Sequence, residues 1–175
     1  METVRERIKD LIRDIPDFPR PGVMFKDITP LLADPKGFAD CVDALAARFA
    51  GENIDKVIGI EARGFIIAAP VAYRLNAGFV PMRKKGKLPA KVYSDTYELE
   101  YGSDTLEVHA DSVGARDRVL LVDDVLATGG TAAAGRRLVD KFGANTVGFG
   151  CVLELDFLSG RTRLPGLEIE ALVAC

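Results

Sequence analysis

Two adjacent carboxylates, Asp123 and Asp124, stand between an apolar run and a turn of small residues in the segment VLLVDDVLATGGT, from Val119 to Thr131. Val119 to Val122 read as a buried parallel strand, and ligands of open α/β sheets gather beyond the carboxyl ends of such strands. Ala127, Thr128, Gly129, Gly130 and Thr131 then form a turn that opens a helix. Small side chains let backbone N–H groups close on an anion there, and the helix dipole favours negative charge. The turn reads as a phosphate cup. The acids lie too near it to be phosphate ligands, so they suit ribose hydroxyls or a Mg2+ reached through water. A Walker B-like strand, or a strand ending in a solvated acidic loop, shares the apolar run and the acids but not the Ala-Thr-Gly-Gly-Thr that follows. Gly59-Ile-Glu-Ala-Arg-Gly64 has P-loop glycine spacing but continues Phe65-Ile66 rather than Lys-Ser/Thr, and no G-x-G-x-x-G occurs.

A strand and a cup need a scaffold, and the remaining pattern supplies one. Thr3-Val4-Arg5-Glu6 fits a capping box, and Val4, Ile8, Leu11, Ile12 and Ile15 recur at helical spacing until Pro16, Pro19 and Pro21. Asp17 to Leu32 shows no clean period and predicts an irregular arm over the active site. Asp34-Pro35 predicts the start of a second helix with Phe38, Cys41, Val42, Leu45 and Phe49 on its apolar face. From Lys56 onward, strand and helix alternate: a strand at Val57–Ile60, a helix at Phe65–Leu75 with Pro70 inside it, and a strand at Phe79–Met82. Val92 to His109 predicts a two-stranded hairpin suited to a lid. A helix from Thr131 to Phe142 and strands at Val147–Leu153 and Leu167–Val173 complete the pattern, that of a parallel sheet with helices on both faces.

Composition narrows the classes of function. A chain of 175 residues with 48% hydrophobic content can bury one good core, which predicts a single domain. No apolar stretch approaches the ~20 residues of a membrane span, and METVRERIKDLIRD is too charged for a signal peptide. A cytoplasmic protein without membrane contact is expected. A net charge of -3 argues against a nucleic-acid partner. Cys41, Cys151 and Cys175 are far apart and lack C-x-x-C spacing, which predicts two buried thiols and a free one. With His109 as the only histidine, a His-dependent triad or a multi-His metal site is excluded. Arg83, Lys84, Lys85, Lys87 and Lys91 concentrate cations in one loop, either a solvated basic loop or an anion patch.

The Val119–Thr131 stretch resembles the 5-phosphoribosyl-1-pyrophosphate (PRPP) motif of type I phosphoribosyltransferases. Phe25-Lys26-Asp27-Ile28-Thr29-Pro30, Glu61-Ala62-Arg63-Gly64-Phe65, Arg83-Lys84-Lys85-Gly86-Lys87-Leu88-Pro89 and Tyr97-Glu98-Leu99-Glu100-Tyr101-Gly102 resemble, in the same order, the adenine-specific members of that family. The resemblance runs along nearly the whole chain. It implies an α/β, type I phosphoribosyltransferase-like fold, with a central mostly parallel sheet flanked by helices, an N-terminal hood over residues 1–35 and a mobile hairpin lid over 92–109. It also implies transfer of the phosphoribosyl group from PRPP to adenine, giving AMP and pyrophosphate, with Mg2+ as cofactor and a homodimer as the assembly. The alternatives are transfer to a 6-oxopurine such as xanthine, or a non-catalytic PRPP-sensing regulator. A regulator would usually add a DNA-binding segment, and the first helix is too short and isolated for a helix-turn-helix.

Phosphoribosyl transfer passes through an oxocarbenium-like state, which demands anion donors for the leaving group, a fixed base and exclusion of water. The resemblance implies that Ala127, Thr128, Gly129, Gly130 and Thr131 hold the 5-phosphate, and that Asp123 and Asp124 hold the ribose. Arg63, Lys84 and Lys87 would bind pyrophosphate; the alternative for Arg63 is an ion pair with Glu61. Adenine would lie between Phe25 and Val125, with backbone around Val23 and Met24 reading its edge and Lys26 ordering the arm. Glu100 would be the catalytic carboxylate. Mg2+ keeps waters and takes substrate oxygens, so few or no direct protein ligands are expected.

Overall fold

The computed structural model describes residues 3–98 and 102–175. Thr3 and Glu6 form the expected capping box at the start of α1 (Val4–Asp10). The apolar spacing predicts a helix reaching Ile15, yet α1 stops at Asp10 and Ile15 lies in β1 (Arg13–Ile15). β1 pairs antiparallel with β2 (Phe25–Asp27), which sets Asp14 opposite Lys26 and Ile15 opposite Phe25. The arm expected to be irregular therefore carries a small hairpin, followed by the one-turn helix α2 (Thr29–Ala33). Strands of three residues are too short to display an alternation, so periodicity does not reveal them. Asp34 caps α3 (Pro35–Phe49) by accepting the Gly37 N–H, with Pro35 at the first position.

Beyond α3 the order is β3 (Lys56–Ile60), α4 (Gly64–Arg74), β4 (Gly78–Lys84), β5 (Val92–Glu98), β6 (Ser103–His109), β7 (Arg118–Leu126), α5 (Gly130–Asp140), β8 (Asn145–Glu154) and β9 (Glu168–Ala174). Seven strands form one sheet in the order β5-β6-β4-β3-β7-β8-β9. From β4 to β9 all pairings are parallel. The β5–β6 hairpin is antiparallel and joins the sheet through β6 and β4. Neighbouring residues of the central strands feed opposite faces: Val57, Leu120 and Val122 pack with α1, α3 and α4, whereas Ile58, Val119 and Leu121 pack with α5. Burial on both faces is why these strands read as unbroken apolar runs.

Each fully buried Val, Ile or Leu contributes about 1.5–3 kcal/mol relative to exposure. The acid pair thus rides on a strand whose Val119, Leu120, Leu121 and Val122 are all fully buried. β7 continues past the expected end at Val122, through both acids to Leu126. Cys41 and Cys151 are buried and Cys175 is exposed, all as free thiols. Among the described residues no helix is long and apolar enough to cross a membrane.

Candidate active site

The turn after β7 owes its shape to two glycines. Gly129, which precedes α5, has φ +80°, a left-handed conformation that costs other L-residues about 1–2 kcal/mol. A methyl group on Gly129 would fall 2.3 Å from the carbonyl oxygen of Gly160, and one on Gly160 would fall 2.3 Å from that of Ala127. The cup is therefore backed directly by the main chain of a 3-10 turn, Gly160–Arg163. No side chain caps α5, and its first-turn N–H groups lack partners within the helix until Ala133 bonds Gly129 O at 2.9 Å. Val125, Leu126, Ala127, Thr128, Gly129, Thr131 and Ala132 line a small cavity of about 60 Å³ there. Free N–H donors at a helix start suit an anion.

The acid pair lies beside this cup. Asp123 is buried and its Oδ1 accepts the Asp124 N–H at 2.9 Å. Burial pushes the Asp123 carboxyl well above the usual range, and the neighbouring Asp124 charge pushes it further. A methyl on Gly64 would sit 2.8 Å from Asp123 Oδ1, so only glycine lets the start of α4 approach the acids this closely. That approach delivers Arg63, whose Nε bonds Asp124 Oδ2 and whose guanidinium carbon lies 5.6 Å from the centre of the Phe25 ring.

The ion pair of Arg63 with Glu61 does not form. The Glu61 N–H extends the β3–β4 ladder by bonding Met82 O at 2.9 Å, which directs Glu61 to the basic loop instead. Its Oε2 accepts the Lys84 N–H at 2.9 Å, and its carboxylate lies 3.3 Å from Arg83 Nε and 3.8 Å from Lys87 Nζ. Burial alone would raise the Glu61 carboxyl, but these donors and cations outweigh it and hold it below the usual range. Glu107, which is buried, accepts the Gly86 N–H at 2.9 Å. The partly buried Glu61 and the buried Glu107 thus anchor the start of the basic loop to the sheet, while Lys85, Lys87 and Lys91 remain exposed.

Lys84 ends β4, and its Nζ bonds Asp104 and the Tyr97 hydroxyl, the latter at 3.1 Å. Thr131 Oγ1 also donates to that hydroxyl, at 3.2 Å. The basic loop, the hairpin and the phosphate cup therefore meet at one phenol. Sequence reasoning missed these roles for Tyr97, Asp104 and Glu107, and named Glu61 only as an alternative partner for Arg63. Tyr97 carried a usable signal, an amphipathic side chain on an alternating strand next to the cup-forming helix; the three carboxylates looked like ordinary charged positions.

The four residues expected around a base, Met24, Phe25, Lys26 and Val125, line one cavity of about 330 Å³ together with Arg63, Asp124 and Ala127. That volume lies within the ~300–1,000 Å³ usual for small-molecule sites. Leu153 and Leu155 add an apolar wall that the sequence did not single out. Phe18 packs edge-on against Phe25 at 5.1 Å, and Lys26 Nζ bonds Asp14 at 2.8 Å across the β1–β2 hairpin, so both steady the arm. Asp27 does so as well: bonds from Arg13 and from Thr29 take its carboxyl down to about 2. Glu100 lies outside the described residues.

Comparison with known proteins agrees with this geometry. The model of the phosphoribosyl transferase domain matches residues 28–163. An adenine phosphoribosyltransferase of Acidothermus cellulolyticus is 58% identical over 170 residues, 97% of this chain and 96% of that protein. The crystal structure of the Rhodothermus marinus adenine phosphoribosyltransferase superposes with a TM-score of 0.93 at 48% identity, covering 98% of both chains. The Saccharomyces cerevisiae enzyme, solved with an imino-altritol bisphosphate and adenine, gives 0.92 at 39% identity over 97% of this chain and 98% of that one. The cup, the acid pair and the likeness along nearly the full length lead to one conclusion: the chain belongs to the phosphoribosyl transferase domain family, among its adenine phosphoribosyltransferases.

Proposed function

We propose that the chain transfers the 5-phosphoribosyl group of PRPP to adenine, releasing AMP and pyrophosphate, as a purine salvage enzyme. The observation that carries this reading is the single cavity in which the Phe25–Val125 slot, the Arg63–Asp124 pair and Ala127 of the cup are contiguous. A flat base and a phosphorylated ribose would there lie side by side. The test is incubation with PRPP, Mg2+ and each purine base in turn, with identification of the nucleotide formed; AMP from adenine is expected, and no nucleotide from any base refutes the reading.

In this reading the first-turn N–H groups of α5 and the hydroxyls of Thr128 and Thr131 bind the 5-phosphate, with Ala127, Gly129 and Gly130 keeping the main chain accessible. Asp124 and Asp123 take the ribose hydroxyls. Arg63, Lys84 and Lys87 gather the pyrophosphate and stabilise its charge as the bond to the anomeric carbon breaks. Phe25 and Val125 clamp adenine from its two faces, Met24 and Lys26 complete the arm, and closure of the hairpin lid keeps water from the carbocation-like centre. Glu100 is assigned the catalytic carboxylate role. Glu100→Ala is expected to lower kcat more than PRPP affinity; an enzyme with full turnover would show the residue to be merely solvated.

Asp124→Asn and Thr128→Ala act on PRPP rather than on adenine. Loss of one charge-assisted bond costs about 1.5–3 kcal/mol, or roughly 10- to 100-fold in PRPP affinity. Calorimetric titrations unchanged in both variants would remove the cup from the reading.

Among the described residues no group of three or more acidic, His or Cys side chains converges on a point. A Mg2+ would be held mainly by the oxygens of PRPP and by water, and Asp123 and Asp124 are the residues that would accept hydrogen bonds from that water. When bound, the ion neutralises charge on the leaving pyrophosphate. The 92–109 hairpin is proposed as a lid within a single domain, residues 1–175, hooded by 1–35. Its closure must carry along or break the Arg137–Asp95 and Lys84–Asp104 pairs that tie it to α5 and β4. A homodimer, checked by sedimentation equilibrium, is supported by Ile66 and Tyr73, exposed at 44% and 84% two turns apart on α4, and a cytoplasmic location is checked by fractionation.

A further inference from the structure

Every cation assigned to pyrophosphate already faces a carboxylate. Arg63 bonds Asp124, Lys87 stands 3.8 Å from Glu61, and Lys84 bonds Asp104. Asp124 and Glu61 belong to the central strands and their ends. Asp104 is different, because it sits on the outer hairpin, opposite Tyr97 in the β5–β6 register. β6 pairs with β4 at Arg83–Glu107 and Lys84–Leu106, and the Lys85 N–H bonds Thr105 O at 3.1 Å, so the Lys84 side chain adds to a backbone tie between hairpin and sheet.

The bonding around this carboxylate is fully divided. Asp104 Oδ1 accepts the Thr105 N–H at 2.8 Å, which leaves Oδ2 for Lys84 and for the Tyr97 hydroxyl at 3.4 Å. The Tyr97 hydroxyl donates to Asp104 and accepts from Lys84 and Thr131, which uses its one donor and both acceptor positions. Burial works against the charge of each partner, yet their mutual bond prevails: the Lys84 ammonium is held above its usual range and the Asp104 carboxyl below it. Lys84 is thereby occupied in the ligand-free site.

We propose that Asp104 is a positioning residue that holds Lys84 in reserve, and that the pyrophosphate group of PRPP must take the ammonium from it. The inference rests on the assignment of Lys84 to pyrophosphate made above. A pyrophosphate carries several negative charges against one on Asp104, so the exchange favours substrate. The exchange has two consequences. Asp104 lowers the affinity for any ligand bearing pyrophosphate, and arrival of that group removes one tie between the hairpin and β4 while Arg137–Asp95 and the Lys85–Thr105 backbone bond remain.

Asp104→Asn removes the charge while keeping the acceptor for Thr105. Side chains of the pair are 36% and 30% exposed, so solvent screens the interaction in part. The variant is expected to bind PRPP and inorganic pyrophosphate about 3- to 10-fold more tightly. Ribose 5-phosphate, which has no pyrophosphate, should bind unchanged. In a Lys84→Ala background the gain should vanish. Equal or weaker PRPP binding by Asp104→Asn overturns the inference, as does a gain that persists without Lys84; if Lys84→Ala alone still weakens PRPP binding, the pyrophosphate assignment survives. Lys84→Ala with unaltered PRPP binding removes that assignment, and the inference with it. Melting curves verify that each variant folds, and Asp104→Ala, for which the same gain is expected, replaces Asp104→Asn if the latter does not.

Discussion

Gly129→Ala is expected to weaken PRPP binding by at least about 100-fold, more than loss of any single side chain in the cup. Two penalties combine at this position. The left-handed backbone at φ +80° would cost alanine about 1–2 kcal/mol. The new methyl would also meet the Gly160 carbonyl oxygen at 2.3 Å, a main-chain atom that no rotamer change can move aside. The turn must therefore shift as a unit, and the first-turn N–H groups of α5 shift with it. Charge-assisted hydrogen bonds are worth about 1.5–3 kcal/mol each, so misplacing two of them accounts for the expected factor. Gly166→Ala is the control, with φ +70° but open space around the new methyl. It should lose stability through the dihedral penalty alone and keep PRPP affinity. Normal titration of PRPP by Gly129→Ala would show that the cup is not the phosphate site.

Turnover of adenine is expected to exceed that of hypoxanthine, guanine or xanthine by at least about 100-fold. Adenine presents a 6-amino donor beside an N1 acceptor, whereas the 6-oxopurines present the reverse pair. The arm around the base cavity offers Val23, Met24 and Phe25, none with a hydrogen-bonding side chain. Of the polar side chains in the lining, Lys26 bonds Asp14, and Arg63 and Asp124 bond each other and are assigned to pyrophosphate and ribose. Discrimination thus falls to backbone N–H and C=O groups, which cannot exchange roles. A wrong base would bury two mismatched groups at about 1–3 kcal/mol each, sufficient for this selectivity without editing. Competition assays with paired bases measure the ratio directly. Comparable rates on a 6-oxopurine would overturn the adenine assignment and leave phosphoribosyl transfer intact.

Much of the scaffold was legible because its signals are local. The capping box at Thr3, the Asp34-Pro35 start of α3 and the apolar runs of β3, β4 and β7 each lie within a few residues and obey a period. The short β1–β2 hairpin was not legible, since three residues cannot establish alternation. The end of β7 was misplaced for a related reason. Asp123 and Asp124 look like solvent-facing residues, but their backbone continues the ladder with β8 through Leu126.

By itself the sequence determined which groups can do chemistry: an acid pair beside a small-residue turn, a lone arginine before Gly64, a cationic loop and an aromatic on the arm. Those features are chemical identities at short spacing, so a linear reading captures them. Only the tertiary structure decided the partners. Arg63 meets Asp124 across 61 positions of chain because β3 and β7 are neighbours in the sheet. Gly160 backs the cup, and Tyr97 joins Lys84, Asp104 and Thr131, through the same kind of long-range closure. Sheet order and helix packing set such contacts through the burial of whole faces, and no local period encodes which strand will lie beside which.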